Sequence, residues 1–124
     1  MTKKEKLVTE HFDKRVNFQA MQQAAAQACA LLKVLANSDR LLLLCQMSQG
    51  AYCVSELEQI TGIKQPTLSQ QLSVLREEKM VDTRREGKQI FYSIASEEAM
   101  AVMKVLYEIY CKDVHDPKEA LRDH

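Results

Sequence analysis

"GIKQPTLSQQLSVLREEKM", residues 62–80, is the stretch on which the reading of the fold turns. Pro66 suits a first helical position, where its missing N–H costs nothing because that donor has no helical partner anyway. Leu68, Leu72 and Leu75 follow at i, i+4 and i+7, one narrow apolar seam at about 100° per residue. Gln70 and Ser73 point away from the seam, and Thr67 and Ser69 flank it. Most surface helices fill such positions with Lys and Glu. This one uses hydroxyl and amide side chains, which both donate and accept hydrogen bonds. The spacing predicts a short helix with an outer face suited to base edges.

Before this stretch, Val54, Leu57 and Ile60 predict a short helix, started by Ser55 or a neighbour and stopped by Gly62. After Lys79 the apolar period changes to two. Val81 and Thr83 alternate with charges, and Ile90, Tyr92 and Ile94 alternate with Gln89, Phe91 and Ser93. A turn at Glu86-Gly87 joins the two runs into a β-hairpin with basic residues at its tip. Short helix, turn, polar-faced helix and basic hairpin make a winged helix-turn-helix. The second helix is slim enough for the major groove, and Arg84, Arg85 and Lys88, beside Gln89, are placed to reach phosphates.

Net charge over the whole chain is zero, so any sign of nucleic-acid binding must be local. Residues 60–92 carry six basic side chains (Lys64, Arg76, Lys79, Arg84, Arg85, Lys88) against four acidic ones (Glu77, Glu78, Asp82, Glu86). From residue 97 onward four basic face seven acidic, so positive charge gathers weakly where DNA would lie. Ordinary solvated faces account for the same residues, and a protein-interaction module is the corresponding alternative.

Farther out, Met21, Ala24, Ala28, Leu31 or Leu32, and Leu35 predict a helix over 18–35. Ser38 is expected to cap a second helix over 40–48, with Gly50 ending it. A last helix begins near Ser96, carries Val102, Met103, Leu106, Ile109 and Tyr110, and ends around Cys111 to Asp113. The expected architecture is mainly α with a small β-hairpin wing and five or six helices. The expected organisation is a charged segment over 1–15, a DNA-binding and dimerisation domain over 16–113, and a polar tail over 114–124. At 124 residues, 46% hydrophobic and 27% charged, the chain suits one globular domain, and three Gly and two Pro favour short connections between helices. It has neither the roughly 18–20-residue apolar run of a membrane span nor the apolar centre of a signal peptide, which predicts a cytoplasmic location and no membrane partner.

Cysteines stand at 29, 45, 53 and 111, with no Cys-x-x-Cys spacing. In a reducing cytosol the default is free thiols, any disulfide being regulatory or catalytic. Cys45, in "RLLLLCQM", reads locally either as core filler or as a redox switch. An enzyme would need an activated thiolate beside a cation or a helix N-terminus; no cysteine shows that setting, so no enzymatic activity is expected.

"LLKVLANSDRLLLL" (31–44), the run from "VSELEQITG" to "KQIFYSI" (54–94) and "LYEIYC" (106–111) together resemble the ArsR-type family of dimeric winged-helix repressors. The run "GIKQPTLSQQLSVLRE" (62–77), with "TRR" (83–85) and "KQIFY" (88–92), looks most like its persulfide-sensing branch of biofilm growth-associated repressors, and "QPTLSQQL" is its specific part. The resemblance implies a homodimer through the first and last helices, reading a pseudo-palindromic double-stranded operator. It implies base contacts from Gln65, Thr67, Ser69, Gln70 and Gln71, and phosphate contacts from Ser38 and Arg40. It also implies a redox-sensing pair, Cys45 and Cys111, 66 positions apart, that persulfides or polysulfides convert by thiol exchange to a disulfide or longer bridge. No cofactor and no metal site are expected. Arsenite- and metal-sensing relatives have two thiolates one residue apart where this chain has Cys53 and Ser55, a poor soft-metal site, so an arsenite- or metal-responsive repressor using Cys53 is the alternative. Cys29 is expected to lie in the dimer interface or in the core. Asp113 and His115 resemble half of a zinc set whose downstream histidine is missing.

Overall fold

The computed structural model describes residues 17–112. The segments 1–15 and 114–124, with Asp113 and His115, lie outside the described residues. The chain divides between Lys33 and Val34 into two units. The first holds most of α1 (Phe18–Leu35), whose start is fixed by the Asn17 Oδ1, accepting from Gln19 N–H at 2.7 Å. Along α1, Phe18, Met21, Leu32 and Cys29 are exposed.

The second unit is built on a core of leucines. Helix α2 (Ser38–Met47) is capped by Asn37, not by Ser38: Asn37 has extended backbone and its Oδ1 accepts from Arg40 N–H at 3.0 Å. An asparagine in that position satisfies an orphan donor as well as serine does, and the helix therefore starts two residues earlier than expected. Leu43, Leu44 and Met47 enter the core, while Leu42 and Cys45 turn to another face. After strand β1 (Tyr52–Cys53), α3 (Val54–Thr61) begins at Cys53, whose N–H donates to Glu56 Oε1 at 3.0 Å. That bond holds the Glu56 carboxyl below the usual carboxylate range. Gly62, at φ 76°, ends the helix in the left-handed conformation that glycine adopts without Cβ cost.

Helix α4 (Thr67–Glu77) buries Leu68, Leu72 and Leu75, the seam read from the sequence. Pro66 sits one position before the helix, at its cap. Strands β2 (Val81–Glu86) and β3 (Gln89–Ile94) pair antiparallel through a two-residue turn at Gly87-Lys88, one position later than expected. The sheet has a third strand: β1 pairs with β3, Tyr52 opposite Tyr92 and Cys53 opposite Phe91, giving the order β1-β3-β2. Two residues are too few to show an alternating pattern. The expected alternation in β3 is also incomplete, because Ile90 lies toward the hairpin tip and is 41% exposed.

Ser96 caps α5 (Glu97–Leu106), its Oγ accepting from Ala99 N–H at 3.0 Å. From Tyr107 to Cys111 the helix widens to π geometry. Ala99 and Met103 reach the core, whereas Val105, Tyr107, Ile109 and Tyr110 are exposed. Among the described residues no helix is long and apolar enough to cross a membrane.

Candidate nucleic-acid interface and thiol site

The outer face of α4 is open. Gln65, Ser69, Gln70 and Ser73 are exposed, and Thr67 and Gln71 are half-buried. Two of these side chains have structural duties. Gln65 Oε1 accepts from Ser69 N–H at 3.1 Å, tying down an unpaired donor in the first turn of α4. Gln71 Oε1 accepts from Arg40 Nη1 at 2.8 Å, while Arg40 Nε donates to the Val34 carbonyl. Arg40 thus fastens the start of α2 to the helix that faces outward, a link between residues 31 positions apart that no local pattern reveals. Ser38, freed from capping, is exposed.

In the wing, Arg84, Arg85, Lys88 and Gln89 are all exposed. Arg84 is held over the Phe91 ring at 5.9 Å from its centroid and pairs with Glu86 at 3.0 Å. Exposed ion pairs of this kind are weak, so the guanidinium can exchange Glu86 for a phosphate at small cost. Arg85 Nε donates to the Gly87 carbonyl at 3.3 Å, which orients it along the turn.

Helices α2 and α5 pack against each other and bring Cys45 and Cys111 to one cavity of about 370 Å³. Its wall is otherwise mainly Leu41, Leu42, Met103, Leu106 and the two tyrosines at 107 and 110. Cys45 is not core filler. At 100° per residue it stands one step round α2 from Leu44, and the residue is exposed although its thiol is partly enclosed. Burial pushes the Cys45 thiol above its ordinary range, and the nearby Cys111 pushes it further, since two adjacent thiolates repel. Cys111 is half-buried and presented by the π turn. A π turn carries one more residue per hydrogen-bonded ring than an α turn, so it changes the direction of the side chains that follow Leu106.

The other two thiols lie elsewhere. Cys53 is 5% exposed at the start of α3, with Sγ 3.3 Å from Ser55 Oγ. Cys29 is exposed on α1 in the single chain and is not part of the core. Among the described residues no three His, Cys, Asp or Glu side chains gather as a metal site.

Comparison with known proteins gives this geometry its family. Residues 37–83 match the model of the bacterial regulatory protein arsR family. The chain is 52% identical over 92 residues to the biofilm growth-associated repressor of Agrobacterium fabrum, an alignment covering 74% of this chain and 79% of that protein. The crystal structure of the transcriptional repressor BigR from Xylella fastidiosa superposes with a TM-score of 0.74 at 44% identity, covering 81% of this chain and 99% of the other. Reduced HlyU from Vibrio cholerae superposes at 0.73 with 37% identity, over 76% of this chain and 99% of that one. The winged helix-turn-helix persists across these differences in sequence, and the chain belongs to the arsR family of bacterial regulatory proteins, in the branch of the biofilm growth-associated repressors.

Proposed function

We propose that the protein is a transcriptional repressor, acting as a homodimer on double-stranded operator DNA, that lets go when a persulfide or polysulfide joins Cys45 to Cys111. The observation that carries this reading is the shared cavity: two thiols 66 positions apart in sequence line one apolar space, and Cys111 is near enough to resist ionisation of Cys45. Such a pair can close on itself without dismantling the core, because neither Cys45 nor Cys111 belongs to it.

The chemistry is two successive exchanges. The Cys45 thiolate attacks the terminal sulfur of R–S–SH, a new S–S bond forms, and R–S⁻ leaves to take a proton from solvent. Attack by Cys111 on the Cys45 sulfur then expels hydrosulfide. In sum, two thiols and R–S–SH give one disulfide, one R–SH and one hydrogen sulfide, the protein losing two electrons and the persulfide gaining them. With more donor, sulfur atoms remain in the bridge.

On the DNA side, Gln65, Thr67, Ser69, Gln70 and Gln71 face bases, Ser38 and Arg40 face phosphate, and Arg84, Arg85, Lys88 and Gln89 follow the flanking backbone. Two copies joined through α1 and α5 cover the exposed Phe18, Met21, Leu32, Val105, Ile109 and Tyr110, and set two reading helices about 34 Å apart. The link from sulfur to DNA runs along α2, which carries Cys45 toward its end and Arg40 near its start. Drawing α2 toward the end of α5 moves Arg40, and with it Gln71 on α4.

The test is operator affinity of the reduced protein before and after glutathione persulfide, with peptide mass mapping of the same samples. The expected result is an affinity loss of about 5- to 150-fold, the usual range of allosteric coupling, together with a Cys45–Cys111 linked peptide. Unchanged affinity with both thiols free refutes the sensing reading and leaves operator binding standing; arsenite and Cys53 are then the next pair to try.

A further inference from the structure

Cys45 borders a second cavity. Serine and glutamine at 48 and 49 follow it, one turn farther along, and with Met100, Lys104 and Glu108 of α5 and its π turn they enclose about 330 Å³. Met103 and Tyr107, like Cys45, line both spaces. The spaces differ in chemistry. Among the described residues no charged side chain lines the cavity shared with Cys111. The other carries one cation and one anion, Lys104 and Glu108, four positions apart on the same helical stretch, with the Gln49 amide beside them. Gln49 is oriented by donating from Nε2 to Ser48 Oγ at 3.3 Å, and Ser48 in turn donates to the Cys45 carbonyl.

Thiol exchange is directional. The attacking sulfur, the attacked sulfur and the leaving sulfur stand in line, so the incoming nucleophile and the departing group occupy opposite sides. Cys45 borders two cavities, of which only the apolar one is shared with Cys111. Cys111 approaches from the apolar one, and the other is open to a small molecule.

We propose that the cavity bounded by Lys104 and Glu108 is the docking site of the sulfur donor, and that the donor is a zwitterionic persulfide of the amino-acid or short-peptide class. This inference rests on the reading of Cys45 as a sensor thiol. A donor carboxylate meets Lys104, its ammonium meets Glu108, and a peptide or amide group meets Gln49. The sulfane sulfur is thereby delivered to Cys45 on the side away from Cys111. Cys45 is the first thiol to be persulfidated, because the donor cavity reaches it and not Cys111. The volume lies at the lower end of the range of about 300–1,000 Å³ for small-molecule sites, which suits an amino-acid-sized head and not a large cofactor. After transfer the leaving thiol departs by the route it entered, and Cys111 closes the bridge across the apolar space. Lys104 and Glu108 position the donor; they take no part in the exchange itself.

The experiment compares two donors on the full chain: glutathione persulfide, which is charged, and benzyl hydropersulfide, which has a neutral R group. The readout is the second-order rate of Cys45 persulfidation, followed by mass spectrometry, for the wild type, Lys104→Glu, and the double reversal Lys104→Glu with Glu108→Lys. Lys104→Glu is expected to slow glutathione persulfide by about fivefold, the scale of one exposed charge contact, and to leave the benzyl donor within about twofold. The double reversal, which restores one charge of each sign, is expected to recover most of the lost rate. Reduced-state operator affinity in each variant reports that the fold is intact. Equal slowing of both donors, or no slowing of either, overturns the docking site while the sensor reading survives. If Cys45 of the wild type reacts with neither donor, the sensor reading itself falls, and the docking site with it.

Discussion

Helices α4 and α5 are of similar length and each carries an apolar seam, yet they spend it differently. α4 buries Leu68, Leu72 and Leu75 in its own chain's core and leaves a polar face outside. α5 buries Ala99 and Met103 and exposes Val105, and the π turn that continues it exposes Ile109 and Tyr110 and presents a thiol. A helix that satisfies its apolar face locally can be read from its sequence alone. A helix whose apolar face is left over, and whose thiol shares a cavity with one on a distant helix, cannot.

The sharpest way to break this comparison is to remove the same kind of group from each helix. Leu68→Ala should destabilise the protein by about 2–5 kcal/mol in chemical denaturation, since it empties a fully buried site. Ile109→Ala, at a residue 63% exposed, should change stability of the single chain by less than about 0.5 kcal/mol and instead weaken self-association in sedimentation. If Ile109→Ala costs as much as Leu68→Ala in dilute protein, the contrast between the helices is false.

A smaller effect is expected where the two regions are joined. Gln71→Leu removes the acceptor of Arg40 Nη1, a hydrogen bond from a charged donor worth about 1.5–3 kcal/mol. The half-buried, partly solvated setting of both residues puts the expected loss at or below the bottom of that range. Operator affinity of the reduced form should fall, and the fold-difference between reduced and bridged forms should shrink, because α2 no longer pulls on α4. A variant with weaker binding but an unchanged fold-difference would place the coupling outside this bond.

The smallest effect is electrostatic. The Cys45 thiol is held above its ordinary range first by burial and then by Cys111, so its alkylation rate should climb with pH and level off later than that of a free thiol. Cys111→Ser removes the second cause and leaves the first. The midpoint for Cys45 should therefore move down toward the ordinary thiol range without reaching it, measured by iodoacetamide labelling across pH. The linked stability has a definite sign: the folded chain holds this proton more tightly than the unfolded one, so stability falls as pH rises from the unfolded-chain thiol value to the raised one. An unchanged midpoint in Cys111→Ser would mean that the two thiols do not interact.

Helix α4, its leucine seam and the wing were legible in sequence because each depends on residues within one or two turns of one another. The departures were of two kinds. Local competition among equivalent groups moved boundaries: Asn37 outcompeted Ser38 for the cap, and Gly87-Lys88, not Glu86-Gly87, formed the two-residue turn. Long-range pairing supplied what no window could contain, including β1 beside β3 and Arg40 against Gln71.

By itself, then, the sequence determined the helix-turn-helix and its wing, since hydrophobic period, glycine stops and turn residues act over short distances. It also brought Cys45 and Cys111 under suspicion, but through likeness to a family and not through any pattern of their own. Only the tertiary structure decided that these two thiols share a cavity, that Cys53 is shut away, and that Cys45 borders a charged pocket as well as an apolar one. The reason is physical: which face of α2 meets which face of α5 depends on how Leu43, Leu44 and Met47 pack into the core, and that packing is settled by the whole chain at once.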